Sequence, residues 1–179
     1  MKRTLLVVLL ALIILGVGTW FVDSQKQGML PATSFEECVE KGNAVMESYP
    51  RQCRDGDKTW TEHIGNELEK MDLIRLENPR PNQSVSSPLV ITGEARGYWF
   101  FEASFPVYLT DWDGLIIAQG IATAQGEWMT EEFVPFEATL TFTVAEEIYS
   151  RRGTLILQKD NPSGLPEHDD ALEIPVNFE

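Results

Sequence analysis

Phe136-Glu137-Ala138-Thr139-Leu140-Thr141-Phe142-Thr143-Val144 alternates apolar and polar side chains at every step. An extended backbone turns successive side chains to opposite faces. Phe136, Ala138, Leu140, Phe142 and Val144 therefore share one face, and Glu137, Thr139, Thr141 and Thr143 the other. The stretch reads as a strand with one side in a core and one in water. Shorter runs of the same grammar recur around it: Leu73-Ile74-Arg75-Leu76, Leu89-Val90-Ile91-Thr92-Gly93, Phe105-Pro106-Val107-Tyr108-Leu109, Leu115-Ile116-Ile117-Ala118, residues 153–157 and Ile174-Pro175-Val176-Asn177-Phe178. About seven strands punctuated by Gly, Pro and Asp predict a mainly β chain over residues 72–179, an immunoglobulin-like antiparallel sandwich. Asp111-Trp112-Asp113-Gly114 reads as a hairpin turn, with glycine where a positive φ is wanted. Pro175 lacks an N–H for the ladder and places the last run at an edge or a bulge.

Two stretches carry a resemblance. Val85-Ser86-Ser87-Pro88-Leu89-Val90-Ile91-Thr92-Gly93-Glu94-Ala95-Arg96-Gly97 and Trp99-Phe100-Phe101-Glu102-Ala103-Ser104-Phe105-Pro106-Val107 resemble the GerMN-associated immunoglobulin-like domain of bacterial spore germination proteins. Trp128-Met129, Pro135-Phe136 and Ile174-Pro175-Val176 agree with it, so that the resemblance covers about residues 73–178. It implies the sandwich fold and an envelope setting, and it carries over no catalytic residue. Residues 35–62, centred on Glu47-Ser48-Tyr49-Pro50-Arg51-Gln52-Cys53-Arg54, resemble a short two-cysteine module of exported bacterial proteins.

The compartment is read from the other end of the chain. Lys2 and Arg3 precede an uncharged, apolar run over residues 5–22. A helix over that run is ~27 Å long at ~1.5 Å per residue, close to the ~30 Å hydrocarbon thickness. The positive-inside bias keeps the N-terminus cytoplasmic and sends the body across the bacterial cytoplasmic membrane. Gly16-Val17-Gly18 offers a small-x-small cleavage pattern, so a signal peptide is the alternative to a signal anchor. Continuation through Trp20-Phe21-Val22 past that site favours retention, with Trp20 suited to the membrane interface. The first cysteine is Cys38, which argues against a lipoprotein.

Net charge is −14, from 14 Lys+Arg against 28 Asp+Glu. Such a surface repels nucleic acid and anionic headgroups or wall polymers, and it suits solubility first, with cationic partners or weak divalent-cation binding as the alternatives. Residues 23–34 read as a linker and residues 63–71 as a connector. Between them lies an appendage over residues 35–62. In it Ser34 is placed to cap a short helix, with Glu37 as its capping-box partner and Gly42 as terminator. Asp55-Gly56-Asp57-Lys58 is a second hairpin turn, leading into a strand at Thr59-Trp60-Thr61-Glu62. An even cysteine count in an exported chain reads first as a disulfide, here Cys38 with Cys53. The alternatives are weaker, because there is no Cys-x-x-Cys and the two histidines, His63 and His168, are far apart in sequence.

Candidate chemistry is sparse. Ser163, His168, Asp169 and Asp170 have the residue types of a nucleophilic triad, yet Asn161-Pro162-Ser163-Gly164-Leu165-Pro166 is a turn sequence. Glu131-Glu132 and Glu146-Glu147 are adjacent and point apart on a strand, unlike a glycosidase pair. Asp160, Asp169 and Asp170 are a weak calcium candidate without EF-hand spacing. Four consecutive aromatics, Tyr98, Trp99, Phe100 and Phe101, cannot all face one core if side chains alternate, so the run is expected to divide between core and surface. Trp112 and Trp128 are further candidates for a binding surface. No enzyme and no cofactor are expected. The expected role is a binding or scaffolding module of the cell envelope, linked to spore germination or envelope assembly, whose partner is an envelope protein. The competing role is a cell-wall or coat carbohydrate-binding accessory. The topology is checked by adding protease to intact spheroplasts: the body should be digested and a short N-terminal fragment stay in the membrane. A soluble mature protein beginning near Thr19 would instead identify a cleaved signal.

Overall fold

The computed structural model describes residues 30–179. The membrane segment expected over residues 5–22 and most of the linker lie outside the described residues. Among the described residues no helix is long and apolar enough to cross a membrane. The described residues divide into two compact units, with the boundary between Glu62 and His63.

The first unit opens on helix α1, Phe35–Glu40. Ser34 caps it, its Oγ accepting from the Glu37 N–H at 3.2 Å. The Glu37 carboxylate reaches one residue further back than a capping box requires, accepting from the N–H and hydroxyl of Thr33. It also pairs with Lys41 at 2.7 Å. The Lys41 ammonium, followed by Thr33, holds the Glu37 carboxyl down from its ordinary 4.5 to about 2. Gly42 follows with φ +73°, the left-handed conformation glycine adopts at least cost. Three short strands then form an antiparallel sheet: β1, Val45–Met46; β2, Gln52–Asp55; and β3, Lys58–Thr61. Asp55 and Lys58 pair across a two-residue turn in which Gly56 has φ +60°. The buried apolar cluster of this unit is small, comprising Ala32, Phe35, Cys38 and Cys53 with Trp60 against it. Cys38 and Cys53 are disulfide-bonded, fifteen residues apart. Beside them the Arg51 guanidinium makes two charge-assisted hydrogen bonds to the buried Glu62 carboxylate, at 2.8 and 2.6 Å.

In the second unit residues 63–71 are part of the folded body. Asn66 bridges to the last strand, donating to the Ala171 carbonyl and accepting from the Glu173 N–H. The short helix α2, Glu67–Lys70, buries the Glu67 carboxylate against Arg80 at 2.6 Å. Burial raises that carboxyl above the usual range, with Arg80 opposing the shift. The strands are β4, Ile74–Asn78; β5, Ser84–Val85; β6, Leu89–Arg96; β7, Ser104–Thr110; β8, Ile116–Ala124; β9, Phe133–Leu140; β10, Arg152–Gln158; and β11, Ala171–Phe178. They pair in the order β4-β6-β9-β8-β7-β10-β11-β5. In a flat sheet with strands ~4.8 Å apart, β9 and β11 would be ~19 Å apart. Yet the rings of Phe142, just past β9, and Phe178 of β11 lie 5.7 Å apart. The sheet therefore folds over. Its fold line is β8–β9, where Thr123 pairs with Glu137 and Ala124 with Phe136 and the register extends no further. One layer is β4, β6 and β9, and the other is built on β8, β7, β10 and β11. The core between them has Trp99, Phe105 and Phe136 as its largest fully buried side chains.

The opening stretch behaves as its alternation demands. Phe136, Ala138, Leu140 and Phe142 are buried, and Glu137, Thr139, Thr141 and Thr143 are exposed. The paired strand itself runs Phe133–Leu140, earlier than expected at both ends. Phe142 continues the pattern outside the ladder, its N–H given to the Ser87 hydroxyl at 3.0 Å. Pro175 causes no bulge, because its register with Thr154 is continuous with the rest of β10–β11. Its carbonyl accepts from the Asn82 N–H, and β5 pairs in parallel with Asn177 and Phe178. The strand set has one more member than the seven runs expected, since the two residues of β5 are too few to show a period. Replacing Cys38 or Cys53 by Ser should cost the first unit roughly 3 kcal/mol in the chain-entropy account of a fifteen-residue loop. Denaturant melts followed by Trp fluorescence should show the second unit unfolding at an unchanged midpoint.

Candidate functional site

Each strand of the sandwich runs between two ends. One end is built from the loops 97–103, 125–132 and 159–170, and the other from 79–88, 111–115 and 141–151. The candidates singled out in the sequence distribute unevenly between them. The aromatic run, Trp128 and the acidic residues Asp160, Asp169 and Asp170 come together at the first end. Trp112 lies at the second, beyond the full length of β7.

The aromatic run is not a strand. Gly97–Trp99 forms a single 3₁₀ turn, in which successive side chains are rotated by about 120° and residues three apart, not two, share a direction. Trp99 and Phe100 are 0% and 4% exposed, while Tyr98 and Phe101 are 52% and 41% exposed. The division expected between core and surface is present, but a turn replaces the strand alternation on which it was argued. Phe100 packs on Phe105, with ring centroids 5.2 Å apart, and Phe105 meets Phe136 edge-on at 5.0 Å. Gly97 makes the turn possible, because a Cβ there would fall 2.2 Å from the Trp128 carbonyl oxygen and 2.0 Å from that of Thr130. The other side of the turn is held by the Asp160 N–H, which donates to the Trp99 carbonyl at 3.1 Å. Two further loops are thus tied to this turn. The run leaves through Glu102 and Ala103, both at positive φ, between the mutual backbone bonds of Phe101 and Ser104. Neither residue is a glycine, so the tight turn that presents Phe101 carries backbone strain of about 1–2 kcal/mol per residue.

Met129 and Leu165 are also exposed at this end, on the second and third loops. Neither was singled out as a site residue in the sequence, where Met129 follows Trp128 and Leu165 stands between Gly164 and Pro166. Trp128 is half-buried and packs against the core. At the opposite end Trp112 is exposed and contacts Tyr149, their ring centroids 4.9 Å apart and tilted by 47°. The Asp111 side chain closes the hairpin there, accepting from the N–H of Asp113 and of Leu115 at 2.9 Å.

The polar candidates are engaged within their own loop. The Ser163 hydroxyl donates to Asn161 Oδ1 and lies 3.1 Å from His168 Nδ1. All of Ser163, His168 and Asp169 are exposed. Asn161 Nδ2 donates to the Leu165 carbonyl and to Asp169 Oδ1. Asp170 pairs with Lys70 at 2.6 Å. Among the described residues no three His, Cys, Asp or Glu side chains converge to hold a metal ion, and Asp160, Asp169 and Asp170 are not brought to one point. A shallow cleft of about 460 Å³ beside Lys70 and Asp170 is lined mainly by polar groups, including Asn66, Asp169 and Glu173.

A second cationic feature lies on the outer face of the three-stranded layer. The guanidinium carbons of Arg75 and Arg96 stand 3.9 and 4.0 Å from the centroid of the Phe133 ring. Arg75 also pairs with Glu94 at 3.0 Å, and Arg96 reaches Glu132 at 3.9 Å.

Compared with known families, residues 73–164 match the immunoglobulin-like domain of bacterial spore germination, just over half of the chain. The chain belongs to this family. The match begins at the residue before β4 and ends within the 159–170 loop, so it includes all three loops of the aromatic end except the last residues of the third. No curated protein and no solved structure matches the chain. Four alanine variants probe the division of the aromatic run. Trp99→Ala and Phe100→Ala should each cost about 3–5 kcal/mol in denaturant melts, as truncated core aromatics do. Tyr98→Ala and Phe101→Ala should stay within about 0.5–1 kcal/mol of the parent, as exposed positions do. Four severe losses would make the patch wholly structural.

Proposed function

We propose that the chain is a non-catalytic binding or scaffolding module of the bacterial cell envelope, linked to spore germination or envelope assembly. In this reading an uncleaved helix over residues 5–22 holds it in the cytoplasmic membrane, and the disulfide-stapled unit and the immunoglobulin-like domain stand outside. The exposure of Tyr98 and Phe101 beside fully buried neighbours carries the reading. A chain that keeps two large rings in water, on a strained turn fixed to the core, offers a preformed apolar contact surface to a protein partner. The family membership and the disulfide are in keeping with an exported envelope setting. The loop-internal bonding of Ser163 and the scattered carboxylates support a role without catalysis.

The contact between Trp112 and Tyr149 favours a second reading, a carbohydrate-binding accessory whose stacking platform is at the opposite end. The two readings separate experimentally. A photo-crosslinking amino acid at position 98 or 101 in living cells should capture a defined envelope protein, and Tyr98→Ala with Phe101→Ala should abolish its pull-down. Binding to cell-wall or coat glycans that is lost in Trp112→Ala and retained in Tyr98→Ala would instead establish the carbohydrate reading.

A further inference from the structure

The charge around the aromatic turn is lopsided. Loop 97–103 carries one Asp or Glu, loop 125–132 three and loop 159–170 four, against Lys159 alone among the Lys and Arg of these loops, while Lys70, Arg75 and Arg96 at the same end are in ion pairs with Asp170, Glu94 and Glu132. Glu102, Glu127, Glu131 and Glu167 are exposed, each within two residues along the chain of an exposed apolar side chain, Phe101, Met129 or Leu165. The opposite end mixes Asp111, Asp113, Glu146 and Glu147 with Arg151 and Arg152. An apolar patch rimmed by one sign of charge selects the opposite sign, because like charges across an interface cost several kcal/mol and unlike charges accelerate encounter.

The molecule already displays the matching chemistry at the same end. Arg96, the last residue of β6 before the aromatic turn, lays its guanidinium over the Phe133 ring and reaches toward Glu132. Its Nε and Nη1 donate to the carbonyls of Asp72 and Glu131. A guanidinium between an aromatic face and a carboxylate thus already occurs on this surface. Tyr98 and Phe101, at an end whose loops carry exposed carboxylates, offer faces of the same kind from the outside.

Building on the binding-module reading above, we propose that this end docks a basic segment of a partner protein, with Arg or Lys side chains laid on the Tyr98 and Phe101 rings and their charges met by the surrounding carboxylates. The apolar rings supply area and the carboxylates supply selection. Because Trp99 and Phe100 fix the turn in the core, the surface needs little ordering on binding.

The test uses the full chain in neutral detergent and three fluorescein-labelled dodecapeptides of common spacing, in which Arg, Ser or Glu alternates with Gly and Leu. Fluorescence anisotropy should show the Arg peptide binding about tenfold or more tighter than the Ser peptide, with no binding of the Glu peptide. Raising salt from about 50 to about 300 mM should weaken the Arg peptide about tenfold, as screening shortens the reach of the carboxylates. Glu131→Lys with Glu167→Lys should weaken it about fivefold or more, and so should Tyr98→Ala with Phe101→Ala. Asp111→Lys with Asp113→Lys, at the far end, should leave it unchanged, with thermal melting used to verify that each variant is folded. Equal affinity for the Arg and Ser peptides overturns the inference, and so does an equal loss from the far-end reversal, which would mean unspecific attraction to an acidic protein. A partner crosslinked through position 98 or 101 whose binding ignores salt and the Glu131 and Glu167 reversals also overturns it, while leaving the binding-module reading standing. Absence of any crosslink from those positions overturns that reading itself.

Discussion

Everything at the aromatic end depends on a column of three rings. Phe136, from the middle of β9, stands edge-on to Phe105 of β7, and Phe105 in turn carries Phe100. The column crosses from one layer of the sandwich to the other and ends in the turn that exposes Tyr98 and Phe101. Aromatic pairs of this geometry contribute about 0.5–1.5 kcal/mol beyond their buried area. The space for the column is made by Gly93, where a Cβ would stand 2.8 Å from Phe136 Cζ and 2.2 Å from the Arg75 carbonyl oxygen. One absent side chain on β6 thus admits the ring that locks a loop at the far end of the same strand.

The two units are stabilised by different means. The sandwich buries a continuous cluster running from Ile74 to Phe178. Among the described residues the first unit buries four apolar side chains and half-buries Trp60, too little core to offset the conformational entropy of ordering its chain without a covalent link. Its disulfide supplies that link, and the Arg51–Glu62 pair adds a buried carboxylate whose desolvation is offset by hydrogen bonds from the Arg51 guanidinium and N–H.

Much of this was legible residue by residue. The alternation in Phe136-Glu137-Ala138-Thr139-Leu140 states which side is inside, Asp111 to Gly114 states a turn, and Ser34 with Glu37 states a helix start. These signals are local, and physics acts on them locally. The aromatic run was legible only in part, because four large apolar residues in a row show that some must be exposed but not which ones. That choice is made by Gly97, through carbonyl groups about thirty residues further along the chain. Met129 and Leu165 had no signal at all, since what joins them to Tyr98 is the folding of a sheet and not a spacing in the chain. The burial of Glu67 was hidden for the same reason, its partner Arg80 lying beyond β4.

The edges of the large sheet bear on how such a domain meets other proteins. At one edge β4 is five residues long, interrupted by a register shift between Leu76 and Asn78, and its outward side chains include Arg75 and Glu77. At the other edge β5 and the Asn82 and Gln83 backbone occupy part of β11, with Pro175 contributing no donor. Short, bulged, charged or already occupied edges give an incoming strand little to copy. Many copies can therefore be crowded together without their sheets joining into fibrils, and whatever specificity the domain has is left to its loops.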